Sequence, residues 1–160
     1  MVVMLVLAGL VAAENDGSSV DQAALERTRQ KVQLLDDAYK FAVVAITNRY
    51  VEMQSEAPAA LTAKDVFEAM HKKGWHSSRL IDVTGKPKNK DNSAKTDFEK
   101  RAAEAIKNGK PYLDELGTKN GKKVLRAATV VPAVMKQCAV CHGGKENRIL
   151  GAITYELPIK

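Results

Sequence analysis

Between Asp21 and Gln54, apolar side chains recur at Leu25, Val32, Leu35, Tyr39, Ala42, Ile46, Tyr50 and Met53, in steps of seven, then three or four. That spacing places them on one stripe of a single α-helix. A helix over this span would run about 50 Å at roughly 1.5 Å per residue. Any core the chain builds must therefore be laid along it. Asp21 has the short acceptor side chain of an N-cap, while Ala24 leaves a capping box incomplete. Pro58 marks the far boundary.

The rest of the chain alternates less regularly. Thr62 to Lys72 is predicted as a short helix, capped by Thr62 and closed by Gly74. "HSSRLIDVTG" reads as a strand running into a turn, and "KPKNKDNSAKTD" as a loop. Thr96 or Asp97 can start the helix "FEKRAAEAIKNG", which ends at Gly109. "KKVLRAATVVPAV" is rich in β-branched residues and reads as a strand ended by Pro132. "ILGAITYELPI" alternates as a final strand. The expected order is a long helix, a short helix, a strand, a helix, one or two strands, the cysteine motif and a last strand, which does not follow a βαβ rhythm, so the expected class is α+β, an antiparallel sheet covered by helices. The 160 residues, 45% of them hydrophobic, suit one domain.

The N-terminus "MVVMLVLAGLVAAENDGSS" is apolar from Val2 to Ala13 and then abruptly polar. The run is too short for a membrane span, which needs about 20 apolar residues. It has the character of the apolar region of a secretory signal, with Val11 and Ala13 in the small-residue places before a cut, though a basic leading segment is missing. The expected organisation is a signal over residues 1–13, a polar spacer over 14–21 and a single domain over 22–160. Export to the periplasm is the expected location, and a retained anchor is the alternative. The chain carries 25 Lys+Arg against 19 Asp+Glu, a net +6. Two lysine-bearing stretches, "GKPKNKDNSAK" and "NGKKVLR", hold much of the excess. Neither has interleaved aromatics or a nucleic-acid motif, so nucleic acid is not an expected partner. A solvated basic face is one reading, and a docking patch for an acidic partner protein is the other.

Both cysteines of the chain lie three residues apart in "QCAVCHGG", followed at once by His142. Cys-x-x-Cys-His is the attachment signature of c-type haem. On a short helical turn, Cys138 and Cys141 can each reach one of two vinyl groups on the same porphyrin edge and become thioethers. His142 can then bind the iron axially. Gly143 and Gly144 let the backbone leave the turn without a side-chain clash. Three competing readings exist. A thioredoxin-like pair usually follows an early strand in a βαβ unit, whereas this motif is C-terminal. Zinc could combine Cys138 and Cys141 with two of His71, His76 and His142. A disulfide between the two cysteines would close too small a loop to stabilise much.

The stretches "GWHSSRLIDVTGKPKNKDNSAKTDFEK", "VLRAATVVPAVMKQCAVCHGG" and "LGAITYELPI" together resemble a bacterial family of c-type haem-binding domains with a PAS-like fold. That family was long described as a domain of unknown function, and it occurs alone or as the sensor part of signalling proteins. The likeness covers roughly residues 22–159. It implies an Asn-x-x-Asn loop and an aromatic–Glu helix start, at Asn89, Asn92, Phe98 and Glu99 here. It also implies a strand ending in Pro before the haem motif, and a closing strand beginning Gly-Ala. Lys90 and Ala94 stand where relatives often have prolines, and "KENRI" is a shorter link than usual. Many members carry a cysteine four residues before an Ala-Pro pair, as the second iron ligand. Here Met53 occupies that position before Ala57-Pro58.

Met53 is therefore the first candidate for the distal iron ligand: it matches the family's ligand position, lies on the helical stripe, and offers a thioether sulfur that iron accepts. A core methionine is the competing role. His76, ahead of a predicted strand, is the alternative ligand, and an open sixth position is a third possibility that would favour gas binding. Arg126 could pair with a haem propionate or form a surface ion pair. Tyr50, one turn before Met53, could shield the distal side or simply pack. Trp75 and Tyr155 could line the pocket, with core packing as the default. No paired carboxylates or Ser/His/Asp set adjoins the motif, so the expectation is a non-enzymatic protein. The expected function is an exported mono-haem c-type cytochrome with an electron-transfer role. A haem-based redox or gas (NO/CO) sensor acting through a separate signalling protein is the alternative, and a zinc-stabilised binding protein is a lesser one.

Overall fold

The computed structural model describes residues 20–53 and 59–160, and the side chains of 49–53 and 59–61 lie outside the description. The expected signal over 1–13, most of the spacer over 14–21, and Pro58 also fall outside the described residues.

The stripe forms the long helix α1 (Gln22–Met53). Asp21 caps it, its Oδ1 accepting from the Ala23 amide at 2.9 Å. Leu25, Val32 and Tyr39 are buried, as the periodicity predicts. Thr28 is also fully buried, although polar: its hydroxyl donates to the Ala24 carbonyl at 2.7 Å, so the interior receives only its methyl face. α2 spans Ala59–Lys72. It begins three residues before the expected Thr62 cap, because Ala59, Ala60 and Leu61 are strong helix formers and continue the helix backward. It closes as expected at Gly74, whose φ of 71° is open to glycine at little cost.

Four strands make one antiparallel sheet: β1 (Ser77–Ile81), β2 (Tyr112–Lys119), β3 (Lys122–Pro132) and β4 (Ile149–Pro158), in the order β1-β4-β3-β2. This realises the expected α+β class. Between β1 and β2 lies α3 (Asp97–Lys107), opened by a full capping box of Thr96 and Glu99. β2 is the second of the one or two strands expected before the motif, in a span the sequence did not assign; it is an edge strand that turns into β3 through Asn120 and Gly121, both at positive φ. Gly151 is required where β1 meets β4, since a Cβ there would sit 2.6 Å from the Ile81 carbonyl oxygen.

Helices cover both faces of the sheet. On one, Leu25, Val32, Tyr39 and Phe67 of α1 and α2 pack on Leu125, Ala127, Ile153, Tyr155 and Leu157. On the other, Phe98, Ala102 and Ile106 of α3 pack on Ile81, Ala128 and Ala152. Each large aliphatic or aromatic side chain buried this way contributes about 1.5–3 kcal/mol. Because both faces are covered, β4 is buried continuously from Gly151 to Tyr155. Among the described residues no helix is long and apolar enough to cross a membrane.

One polar contact fixes how α1 lies on the sheet. Asp36 Oδ1 accepts from the Thr129 hydroxyl at 2.5 Å and the Tyr155 hydroxyl at 2.9 Å, and its Oδ2 accepts from Lys40 Nζ at 2.6 Å. Asp36→Ala would strand both hydroxyls in the interface. We expect it to lower the unfolding free energy by about 2–5 kcal/mol in chemical denaturation. Asp36→Asn, which keeps one acceptor, should cost less than the alanine variant.

Candidate functional site

Strand β3 ends in an irregularity between Val131 and Pro132. The chain then turns into α4 (Lys136–His142), which carries the whole motif. The base of this excursion is closed by backbone bonds: Ala133 donates to the Arg148 carbonyl and Asn147 to the Ala133 carbonyl, both at 2.8 Å. β4 begins immediately afterward.

On α4 the two cysteines are separated by three positions, so they share one face of the helix. Both are free thiols; Cys138 is half-buried and Cys141 exposed. Ala139 turns into the protein and is buried. Val134, ahead of the helix, and Val140, on it, are exposed. His142 is the last helical residue, and Gly143 (φ 73°) turns the chain away. Partial burial and the nearby cations Lys88 and Arg148 pull the His142 imidazole below its ordinary range. That shift favours the neutral imidazole, the form whose lone pair can bind a metal.

The C-terminal carbonyls of α4 are held by two cations. Lys88 Nζ donates to the Cys141 carbonyl at 2.8 Å, and the Arg148 guanidinium donates to the Gly143 carbonyl. Both also suit the negative end of the helix dipole. Lys88 reaches α4 because its loop is pinned. Asp82 folds the loop start, accepting from the Thr84 and Gly85 amides at 2.9 and 2.7 Å. Asn89 caps a 3-10 turn (Lys90–Asn92). Arg79 donates to the Asp91 carbonyl at 2.8 Å and to Glu99 at 2.5 Å. Glu99, buried, also accepts from the Lys95 amide at 2.7 Å. Asn89, Phe98 and Glu99, singled out by resemblance, thus build the scaffold that brings the loop to α4.

The other candidate residues lie elsewhere. His76 is buried, and its Nε2 is hydrogen-bonded to the Tyr39 hydroxyl at 2.7 Å. Its neighbour Ser77 pairs with Glu156, seven positions along β4 from Ile149, about 23 Å of strand from the motif's end of the sheet. The structure does not bring His76 to the motif. Arg126 lies six positions before Pro132, about 20 Å along β3. Its Nε donates to Glu156 at 3.0 Å, and Glu115 lies 3.7 Å from its NH1. It takes the surface-ion-pair role rather than approaching α4. Burial raises the Glu156 carboxyl, but Lys119 and Arg126 outweigh that and hold it below its ordinary range. Tyr155 is a core residue bonded to Asp36, and Trp75 is exposed. Tyr50 and Met53 are on the last turns of α1, and their side chains lie outside the described residues. His71 Nδ1 pairs with Ser77 at 2.9 Å, apart from His76. Among the described residues no group of three or more His, Cys, Asp or Glu is placed to hold a metal ion.

Two cavities flank the sheet. One of about 290 Å³ lies between α3 and the Asp82–Ala94 loop, and one of about 390 Å³ lies between α1 and the Tyr112 and Thr129 ends of β2 and β3. Neither is lined by Cys138, Cys141 or His142.

Fold and site together define a small α+β domain that presents a Cys-x-x-Cys-His helix at one end of an antiparallel sheet. A family model, Tll0287-like, matches residues 14–153, and the chain belongs to that family. The match runs from ahead of α1 through the motif into β4. No curated protein matches the chain.

Lys88→Ala should release one side of α4 without unfolding the domain. Amide hydrogens of residues 138–142 should exchange faster, while global stability changes by less than about 1.5 kcal/mol. Unchanged exchange on α4 would show that Arg148 and the backbone bonds suffice.

Proposed function

We propose that this protein is an exported mono-haem c-type cytochrome with a redox, electron-transfer role. The observation that carries the reading is the geometry of α4: two free thiols on one helical face, directly followed by a histidine at the helix end. The donor set fits haem c. Cys138 and Cys141 would supply the thioethers and His142 the proximal iron bond. Once covalently bound, haem would supply one-electron iron chemistry. Met53 remains the proposed distal ligand, resting on its match to the ligand position of the haem-binding family the chain resembles. A PAS-like description of the fold rests on the same resemblance.

The protein's own contribution is holding and steering. Lys88 and Arg148 fix the C-terminal turn on which His142 sits. Lys86, Lys88, Lys90, Lys136, Lys145 and Arg148 are exposed around or near the motif, and among the described ion pairs none of them takes part. Asp91 and Glu146 are the acidic residues interspersed among them. Of the two basic stretches, the one around Lys88 adjoins the motif, whereas the one around Lys122 lies at the hairpin on the opposite end of β3. The first would steer an acidic redox partner toward the site at low ionic strength. The non-enzymatic reading stands on the same geometry, which supplies binding and docking groups. The alternative, a haem-based sensor of redox state or of NO and CO acting through a separate protein, is favoured if the iron keeps a labile position.

Absorption spectra of the protein exported from a host with c-haem maturation machinery test both. Covalent haem with a low-spin reduced spectrum, indifferent to CO, is the expected result. No covalent haem would overturn the proposal, and prompt CO binding would move it to the sensor. Cys141→Ala should leave at most one thioether and sharply lower covalent haem yield. Met53→Ala should open the reduced iron to CO; an unaltered spectrum would remove Met53 as the ligand.

A further inference from the structure

The hairpin between β2 and β3 marks the end of the sheet opposite the motif. Lys122 and Lys123 are exposed there. Lys160, also exposed, joins them, because the Ile159 amide donates to the Lys123 carbonyl at 3.1 Å. The turn from α2 into β1 reaches the same end. Ser77 pairs with Glu156, and Glu156 stands two residues before Pro158, which pairs with Val124 beside Lys123. Lys73 and Trp75, four and two residues ahead of Ser77, therefore flank this end, and both are exposed. Trp75, the chain's single tryptophan, keeps 66% of its surface open. The chain enters α1 here as well: Val20 packs against the cluster that holds Leu125 and Leu157, and the apolar run Val2–Ala13 precedes it in sequence.

Charge at this end is one-sided. Glu156 is held by Lys119 and Arg126, and Glu115 by Arg101 and Arg126. Asp21 lies 3.8 Å from Arg27, Glu26 lies 3.8 Å from Arg29, and Glu68 lies 3.5 Å from Lys72. Among the described ion pairs, Lys73, Lys122, Lys123 and Lys160 take part in none. An indole set among free lysines has the make-up of a bilayer interface: the ring sits at headgroup level, and the ammonium groups meet anionic phosphates. An acidic protein would answer the lysines alone. The open indole, and the apolar run arriving on the same side, favour a lipid surface.

We propose that this end of the domain docks on an anionic phospholipid surface. Trp75 enters the headgroup layer, and Lys73, Lys122, Lys123 and Lys160 meet the lipid phosphates. β3 runs from the hairpin to Pro132, and the nine steps from Lys123 span about 30 Å. A chain docked this way carries α4 away from the bilayer. Cys138, Cys141 and His142 then face the aqueous side, and the cationic rim around Lys88 stays open to a soluble partner. The proposal rests neither on haem binding nor on whether residues 1–13 are kept.

The test adds vesicles of phosphatidylcholine, with and without phosphatidylglycerol, to the full chain, and reads Trp75 emission and co-sedimentation. A blue shift and sedimentation are expected with the phosphatidylglycerol vesicles alone, both lost in high salt. Lys122→Gln with Lys123→Gln should weaken binding at least about tenfold. Lys107→Gln with Lys110→Gln removes the same charge near the Tyr112 end of β2, which pairs with Thr129, and should leave binding unchanged. Trp75→Phe should weaken sedimentation, with circular dichroism confirming that each variant folds. No vesicle binding, or equal binding to both kinds of vesicle, would overturn the proposal. So would sedimentation without an emission shift, because the apolar run alone would then hold the chain. Equal losses in the two lysine pairs would reduce the attraction to net charge and overturn it too. Binding to polyglutamate in place of vesicles would assign the face to an acidic protein instead. If a variant fails to fold, the wild-type lipid and salt dependence decides.

Discussion

The carboxylate of Asp36 sets the geometry on which the rest of the domain depends. α1 is too long to be located by apolar packing alone, since a helix can slide and rotate on a smooth sheet face at little cost. A carboxylate aimed into that interface removes the freedom. Its desolvation is offset only where the Thr129 and Tyr155 hydroxyls and the Lys40 ammonium all reach it. Those donors sit on β3, on β4 and on α1 itself, so the helix has one register and one rotation. With Asp36 fixed, Tyr39 lies one turn on, over His76 and against Tyr155. The last turns of α1, with Tyr50 and Met53, are then directed by a helix whose other end is anchored.

The motif is held by different means. A seven-residue helix has little stability of its own in water, and α4 buries only Ala139. It persists because Ala133, Asn147 and Arg148 close the backbone at its base, and because Lys88 and Arg148 occupy its C-terminal carbonyls. The side chains on its outer face, Cys141 and Val140 among them, are left open to solvent. A site built this way is fastened along its backbone and free at its reactive atoms. Such a site would allow the haem attachment proposed above to follow folding of the domain.

The elements legible in the sequence are those specified locally. The Asp21 cap, the helix start at Thr96 or Asp97, Gly74 at the end of α2, Pro132 at the end of β3 and the cysteine spacing each act within a few residues; the structure places each within the expected span and settles the helix start on Thr96, which caps α3. The span of β2 was not legible, although a second strand before the motif was one of the expected orders, because Asp114, Glu115 and Gly117 disfavour that conformation; its stability comes from pairing along its whole length with β3. The Asn120-Gly121 pair, a strong hairpin signal, could have revealed it. The placement of His76 and Arg126 far from the motif was not legible either. Strand direction and register decide it, and these depend on pairings between residues distant in the chain. The same holds for Lys88: composition shows a basic loop, but only the Arg79–Glu99 pin shows that this loop, and not the Lys122 hairpin, meets the motif.

Register also explains why the protein can keep two polar systems apart. β4 runs through both: its first residues leave the motif, and its later residues, from Tyr155 on, belong to the Tyr39–His76 end. Between them Gly151 lies so close to β1 that a Cβ there would sit 2.6 Å from the Ile81 carbonyl oxygen, and Ala152 packs in the α3 cluster. The small residues that begin β4 thus do two things at once. They let the sheet close beside α4, and they interpose apolar packing between the cationic turn at His142 and the buried phenols. A larger residue at 151 would push against the Ile81 carbonyl and open the sheet at the point where those two environments are separated.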